Sequence, residues 1–357
     1  MFRIFGKLLL PFAVALFFFW RRFIKRALGH CPAEGVKRKL LLWLLPAALA
    51  ACVFGTFSLA GILYLHFFIL CALSGIVSWF VKEGRLKKAL VTGLVALVLT
   101  PVIGVYGFLN MRLIRETDYS LTTSKPLTKS YTAVLVADTH YGNSLNAARL
   151  EKLCRRIEAL SPDVLLLGGD IVDESTGAEA AAEIFRLFGG VKTAYGVYYV
   201  SGNHDKGTYR AGGGHDLNAL CAKAGVTYLK DETVGLGEEL LLAGRRDRND
   251  RERKPVSGLI PEKETRYVIV LDHQPREYAE NAAAGADLTL SGHTHAGQIF
   301  PAGFLTEPFG SELNYGITER DGMTAIVTSG ASGWGFPLRT SRHSEFVCIT
   351  LSCRAAA

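Results

Sequence analysis

The sequence predicts an α/β domain preceded by an all-α membrane region, and three observations carry that reading. Mean hydropathy is positive, at +0.21, and from Leu40 to Val81 the chain runs 42 residues without a charge. Residues 1–117 carry fifteen Lys/Arg against three Asp/Glu, whereas residues 118–357 carry twenty-five against thirty. From Tyr131 onward, short apolar runs alternate with amphipathic helical patterns, the signature of strands flanked by helices. The basic balance therefore belongs to the N-terminal third. The remainder has the sign opposite to that of a phosphate-tracking domain, so no nucleic-acid partner is expected.

Ile4 to Trp20 is apolar apart from Lys7, and Arg21, Arg22, Lys25 and Arg26 follow, then Lys37, Arg38 and Lys39. A cleavable signal peptide would place small residues after the apolar core; none follows Trp20, and further apolar spans come next. The 42 uncharged residues would measure about 63 Å as helix, roughly twice a bilayer core, which predicts two spans with a turn near Gly55–Gly61. Ala89 to Asn110 gives another, bent at Pro101. About four transmembrane helices are expected within residues 1–117. The loop after the first span and the loop Lys82–Lys88 are basic, and the intervening turn is not. Both basic loops are then cytoplasmic, and everything after Asn110 lies outside the cytoplasm.

Residues 118–130 read as a Ser/Thr-rich linker, and residues 131–357 as the second domain. Leu150, Leu153, Cys154, Ile157 and Leu160 form one stripe of a helix over Asn146–Leu160. Gly177–Phe188, Asp216–Ala224 and Arg276–Ala284 have similar patterns. Val226–Lys230, Glu238–Ala243, Met323–Thr328 and Glu345–Leu351 read as strands. The mixed-charge run Arg245–Lys254 reads as a solvated loop, with a cap over the site as the alternative. Seven cysteines occur without a C-x-x-C pair, and they read as small buried hydrophobes.

The chemistry gathers where apolar runs end. Ala133–Ala137 precedes Asp138 and His140, and Val164–Leu167 precedes Gly169, Asp170 and Asp173. Val197–Val200 precedes Gly202, Asn203, His204 and Asp205. Tyr267–Leu271 runs into Asp272 and His273, and Ala286–Leu290 into Gly292, His293 and His295. Five consecutive strand ends thus deliver carboxylate, amide or imidazole. Mixed oxygen and nitrogen donors suit borderline first-row divalent metals rather than Ca²⁺. Asp138, His140, Asp170, Asn203, His273, His293 and His295 are too many for one ion, and two ions bridged by a carboxylate absorb them.

The ordered set D-x-H, G-D-x-x-D, G-N-H-D, a lone His and G-H-x-H resembles the calcineurin-like binuclear metallophosphoesterases, over roughly residues 131–352. Gly292–Gln298, with the late Gly335–Arg339, is similar to the bacterial membrane-associated branch; Ala296 stands where that branch often has glycine. The resemblance implies a four-layer α-β-β-α sandwich and two divalent ions, Mn²⁺, Fe²⁺/Fe³⁺ or Zn²⁺. Asp138, His140, Asp170 and His295 would hold the first, and Asp170, Asn203, His273 and His293 the second. His204 would stabilise the phosphoryl oxygens or protonate the leaving group, oriented by Asp205. Asp173 would fix a loop or hydrogen-bond a ligand from outside. Arg339 would contact substrate phosphate, a surface arginine being the other reading.

These expectations combine into a membrane-anchored phosphohydrolase of the cell membrane, multi-pass, with its catalytic domain extracytoplasmic. It would cleave phosphodiesters or pyrophosphates, lipid-linked ones among them, with metal-activated water. One alternative keeps the chemistry in a tethered nucleotidase or phosphodiesterase for soluble substrates. The other, a non-catalytic membrane sensor, sits poorly with a complete ligand set.

Overall fold

The computed structural model describes residues 2–29, 35–52, 58–142, 144–207 and 214–353. The chain divides into two compact units, Met1–Gly107 and Phe108–Ala357. The first is helical: α1 (Phe2–Leu28), α2 (Gly35–Ala51), α3 (Leu59–Val77), α4 (Arg85–Val91) and most of α5 (Leu94–Arg112). Two of these helices, α3 and α5, are long and apolar enough to cross a membrane among the described residues. The expected turn at Gly55–Gly61 lies partly outside the described residues. Its far end is visible, because Ser58 caps α3 by accepting from Gly61 N at 3.0 Å. Pro101 falls inside α5, and the helix continues through it. Inside the unit Trp20 and Cys71 are buried, and Trp20 Nε1 donates to Tyr64 Oη at 2.7 Å.

The second unit is mixed α/β, as expected, and is built on two six-stranded sheets. The first comprises β1 (Arg115–Thr123), β2 (Tyr131–Val136), β3 (Val164–Leu167), β4 (Val197–Tyr199), β5 (Val226–Tyr228) and β12 (Glu345–Cys353), ordered β1-β12-β2-β3-β4-β5. The second comprises β6 (Glu232–Leu236), β7 (Leu240–Gly244), β8 (Tyr267–Leu271), β9 (Leu288–Ser291), β10 (Gly316–Arg320) and β11 (Met323–Val327), ordered β10-β11-β9-β8-β7-β6. Strands β2, β3, β4 and β5 run parallel, as do β7, β8, β9 and β11. Parallel strands are covered on both faces, which explains their continuous apolar runs.

Successive side chains of a strand face opposite ways. Val134 and Val136 of β2 and Leu165 and Leu167 of β3 join one cluster with α6 (Ala147–Ala159), α7 (Ala178–Gly189) and α8 (Leu217–Ala224). Leu135 and Leu166 join another cluster shared with Leu242, Ile269 and Leu290 of the second sheet. Val268 and Val270 of β8 turn the other way, toward Tyr278 of α9 (Tyr278–Ala283). Each such fully buried aliphatic side chain contributes about 1.5–3 kcal/mol. Asn146 accepts from Arg149 N and caps α6 where the sequence pattern begins it.

One expectation is corrected. Much of the Ser/Thr-rich stretch at 118–130 is not a linker, since β1 occupies residues 115–123 and pairs with β12 in parallel. Polar composition suggested a linker, but Thr is β-branched, and Tyr119 and Leu121 alternate onto the inter-sheet cluster. Strands β6 and β10 were not anticipated; both carry mostly exposed residues.

A buried carboxylate ties the sheets together at the start of β12. Glu345 is 1% exposed and accepts from Thr117 Oγ1 (2.5 Å) in β1. It also accepts from Tyr315 Oη (3.0 Å), Thr328 Oγ1 (3.0 Å) and Ser329 N (2.9 Å), which flank β10 and β11. Glu345→Ala strands four donors and should cost about 2–4 kcal/mol in a urea unfolding titration, with the isosteric Glu345→Gln costing less.

Candidate metal centre

The site lies at the carboxyl ends of β2, β3, β4, β8 and β9, where open α/β sheets present their ligands. At the ends of β2, β3 and β9 the backbone leaves the extended conformation abruptly. Asp138, His140, Asp170, His293 and His295 all have positive φ, at 53°, 37°, 51°, 72° and 52°. Such φ values are uncommon outside glycine and cost of order 1–3 kcal/mol each. Here they turn carboxylates and imidazoles from separate strands toward one point. Cross-links hold the turns in place: Asp138 N donates to Gly169 O (2.9 Å), His140 N to Asp170 O (3.1 Å) and Gly292 N to His273 O (3.0 Å). Ala296, the departure noted in the sequence, also has φ of 50°, a left-handed position that glycine would occupy without strain.

Two clusters result, Asp138/His140/His295 and Asp170/His273/His293, each with its ligand atoms within 4.8 Å of one another. Nε2 of His140 lies 3.3 Å from Nε2 of His295, and Nδ1 of His293 lies 3.3 Å from Nε2 of His273. The clusters meet at Asp170, whose Oδ2 is 3.1 Å from His273 Nε2 and 3.8 Å from His140 Nε2. His273 Nδ1 faces the Gly168 carbonyl at 2.9 Å. That bond places its proton on Nδ1 and leaves Nε2 as the donor aimed into the site.

Burial sets the charges. It pushes the Asp138 carboxyl up to about 6. It opposes ionisation of Asp170 too, but the His273 charge and hydrogen bond pull that group well below the usual carboxylate range. Burial and the charge of His273 hold His293 down to about 3, so its imidazole is neutral. His295 is likewise held well below its ordinary value by burial. Buried Asn203 Oδ1 and His295 Nδ1 have no hydrogen-bond partner. Against burial, the neighbouring carboxylates hold His140 and His273 above the ordinary imidazole value. Carboxylates, imidazoles and a buried amide oxygen together are a donor set that fits divalent first-row metals, whose charge would take the place of those protons. Asp138, His140 and His295 could hold one ion, and Asp170, His273 and His293 another, with Asn203 beside them.

His204 belongs to neither cluster but adjoins both: its ring lies 5.2 Å from that of His140 between centroids, and its backbone N–H donates to Asp170 Oδ1 at 2.8 Å. Its Nδ1 is 2.8 Å from Glu174 Oε1 and 3.0 Å from Oε2, and its ring packs against Trp334 at 5.1 Å between centroids. The expectation that Asp205 orients His204 is therefore corrected. Asp205 accepts from the backbone N–H groups of Asp170 (2.6 Å), Ile171 (2.8 Å), Val172 (2.9 Å) and Gly202 (2.7 Å). Consecutive side chains diverge, so the residue next to His204 is badly placed to reach its ring. Glu174, from the turn between β3 and α7, was missed; the sequence signal was the second acid of Asp173-Glu174. Asp173 behaves as expected, with Oδ1 accepting from Ser175 N at 2.8 Å and Oδ2 3.6 Å from His140 Nδ1.

Arg339 is corrected as well. It is fully buried rather than open to substrate. Its guanidinium donates to the carbonyls of His295 (2.8 Å) and Ser332, which makes it a support of a ligand turn. Gln298 acts similarly, donating through Nε2 to the carbonyls of Trp334 (3.1 Å), Phe336 (3.3 Å) and Leu338 (3.1 Å). The run Arg245–Lys254 is solvated only in part, with Arg248, Asn249, Arg251, Glu252 and Lys254 exposed. Arg245 and Asp247 are each 1% exposed, Asp247 accepts from Gln274 Nε2 at 2.8 Å, and Arg253 pairs with Asp272 beside His273. Lys206 pairs with Asp250, joining the run to the turn that carries Asn203.

Residues 131–297 match the family model for calcineurin-like phosphoesterases. Over 259 residues the chain is 30% identical to an uncharacterized metallophosphoesterase of Aquifex aeolicus, covering 70% of this chain and 96% of that one. The chain belongs to the calcineurin-like phosphoesterase family. A Helicobacter pylori metallophosphoesterase is 33% identical over 255 residues, covering 70% of this chain and 66% of its own length. A Danio rerio transmembrane protein with a metallophosphoesterase domain is 28% identical over 383 residues, covering 94% of this chain and 85% of that one. Membership implies a metal-dependent phosphoesterase, which agrees with the paired ligand clusters.

The family's glycines have a steric meaning here. A Cβ at Gly202 would fall on Asp170 Oδ1, and one at Gly292 on Asp138 Oδ2. Gly202→Ala should displace the Asp170 carboxylate with little change in circular dichroism. Metal content by elemental analysis should drop and phosphoesterase activity should fall about 10²-fold, the usual cost of a displacement near 1 Å.

Proposed function

We propose that the chain is a membrane-anchored phosphohydrolase that holds two divalent metal ions and cleaves phosphodiesters or pyrophosphates, lipid-linked ones included. The observation that carries the reading is the pair of ligand clusters sharing reach of Asp170. Asp138, His140, Asp170 and His295 would hold one ion, and Asp170, Asn203, His273 and His293 the other. When bound, such ions would polarise the phosphoryl group and lower the pKa of a water. The four-layer α-β-β-α order fits this reading, supported by strand side chains that alternate between the inter-sheet cluster and the clusters containing helices.

The chain's own residues divide the remaining work. His204 carries a proton on Nε2 toward the leaving-group oxygen while Glu174 accepts from Nδ1–H and fixes the ring. Trp334 packs on the imidazole from the side and limits its rotation. Asp205 draws the amides of residues 170–172 and 202 together, which sets the spacing between the Asp170 and Asn203 turns. His204→Ala should keep both metals yet lose about 10²–10⁴-fold in kcat, most for substrates with poor leaving groups. Glu174→Gln should follow the same leaving-group trend with a smaller loss. The check is a phosphoester series of graded leaving-group pKa together with elemental analysis; shed metal, or equal losses across the series, would assign His204 to the ligands or to the phosphoryl oxygens.

Membrane anchoring rests on α3 and α5 and on the similarity to a transmembrane relative. The Lys/Arg excess of Lys82–Lys88 supports an orientation with that loop in the cytoplasm and the second unit outside. A reporter fused after Ala357 should be active only on the extracytoplasmic side, and one inserted at Arg85 only on the cytoplasmic side. The reverse pattern in protease protection would overturn the orientation.

A further inference from the structure

Among the described residues of 108–357, eight large hydrophobic side chains are exposed, and they are not scattered. Three are Phe108, Leu109 and Leu113, where α5 ends; four are Phe300, Phe304, Leu305 and Phe309, on the loop after His295; the last is Ile317. Phe304 is 75% exposed. Isolated exposed hydrophobics need no explanation, but a group of this size marks an interaction surface.

The first two segments meet through residues 337–342. Asn110 Nδ2 donates to the carbonyls of Arg339 and Arg342, both at 3.1 Å, and Arg112 Nη1 to that of Pro337 at 3.3 Å. From the other side Phe300 N donates to Thr340 Oγ1 at 3.0 Å, and Ser341 Oγ to the Ala296 carbonyl at 2.9 Å. A cavity of about 430 Å³ opens there, lined by Phe300, Phe304, Tyr315 and Arg342 among others. Basic groups accompany the apolar ones. The Arg112 guanidinium lies 3.4 Å from the Phe108 ring centre, that of Arg342 lies 5.1 Å from Tyr315, and Arg276 donates to the Phe309 carbonyl.

We propose that the loop 299–311, with Leu109 and Leu113, inserts into the interfacial layer of a lipid bilayer and seats the metal centre at the lipid surface. The inference rests on the reading of α5 as a membrane span. Only Leu113 and Ile114 separate α5 from β1, a tether of about 10 Å when extended. A domain held that closely keeps the end of α5, and what is bonded to it, against the lipid. The loop itself carries exposed Glu307, with exposed Glu312 beside it, so its exposed aromatic and aliphatic side chains rather than net charge would drive partitioning into the interface. A second copy of the chain would account for apolar exposure but not for its place beside the end of α5.

The test places the photoreactive p-benzoylphenylalanine singly at Phe304, at Leu97 within α5, or at exposed Glu262, in the full chain reconstituted into vesicles of phosphatidylcholine and phosphatidylglycerol. Each variant is first matched to the parent in metal content and activity. Irradiation should give about tenfold more phospholipid adduct at Phe304 than at Glu262, with Leu97 also labelled. Labelling at Leu97 without excess at Phe304 overturns the docking surface and leaves the span standing. Labelling at neither position overturns the span and the docking together. A cross-linked dimer from Phe304 in place of lipid adduct assigns the patch to self-association and overturns the proposal.

Discussion

The second unit is organised by the cost of burying carboxylates next to one another. Asp138 and Asp170 are 0% and 1% exposed, and an uncompensated buried charge costs several kcal/mol. The backbone meets part of that cost. Both oxygens of Asp138 face the N–H of His293, at 3.1 and 3.0 Å, and Asp170 Oδ1 accepts from His204 N at 2.8 Å. Compensation is unequal, since Asp138 is pushed up to about 6 by burial while His273 pulls Asp170 far down. Against burial, the carboxylates hold His140 and His273 above the ordinary imidazole value while His293 and His295 are held below it, a charge distribution that divalent cations would also balance. The same logic gives Asp205 its position: it accepts four backbone amides, which offset the burial and the Asp170 charge that raise it to about 6.

This electrostatic demand explains the backbone. Five ligands in left-handed conformation store strain that an isolated loop would release. The strands behind them do not permit release: β2 and β3 have side chains packed into clusters on both faces, and β9 is held by Leu288 and Leu290 in the inter-sheet cluster. Stability and chemistry therefore lie on different residues of the same strand: Leu135 and Val136 hold β2 in place, and Asp138 two residues on uses that rigidity. Gly202 and Gly292 belong to the chemistry, since their missing Cβ atoms are the space the carboxylates occupy.

This division also explains what was legible in the sequence. Apolar runs ending in ligand-type residues declare both a strand and its terminus, so β2, β3, β4, β8 and β9 and the cluster residues were readable. Strands β6 and β10 and the edge strand β1 were not, because an edge strand in water carries little hydrophobic signal. Roles that depend on direction were also illegible. Nothing in the order His204-Asp205 says that one side chain faces the site and the other the backbone, and Glu174 lies thirty positions from its partner. Arg339 and Arg245 misled for a related reason: arginine is read as exposed, and both are buried against carbonyls or carboxylates.

The connection between β11 and β12 couples these layers. Ala331 N and Ser332 N donate to the carbonyls of Ala137 and Asp138, at 2.9 and 3.1 Å, closing the first ligand turn from above. Trp334 then packs on His204, Arg339 supports the His295 carbonyl, and Glu345 ends the connection by tying the two sheets. The carbonyl of Arg339 accepts from Asn110 in the last turn of α5. One residue thus receives a bond from the end of that helix and gives one to a metal-ligand turn. The path from Asn110 to the backbone of His295 consists of two hydrogen bonds and one buried side chain. Arg339 is fully buried, so the support it gives the His295 carbonyl rests on the same backbone that receives the Asn110 bond, whereas His273 faces the Gly168 carbonyl within the sheet.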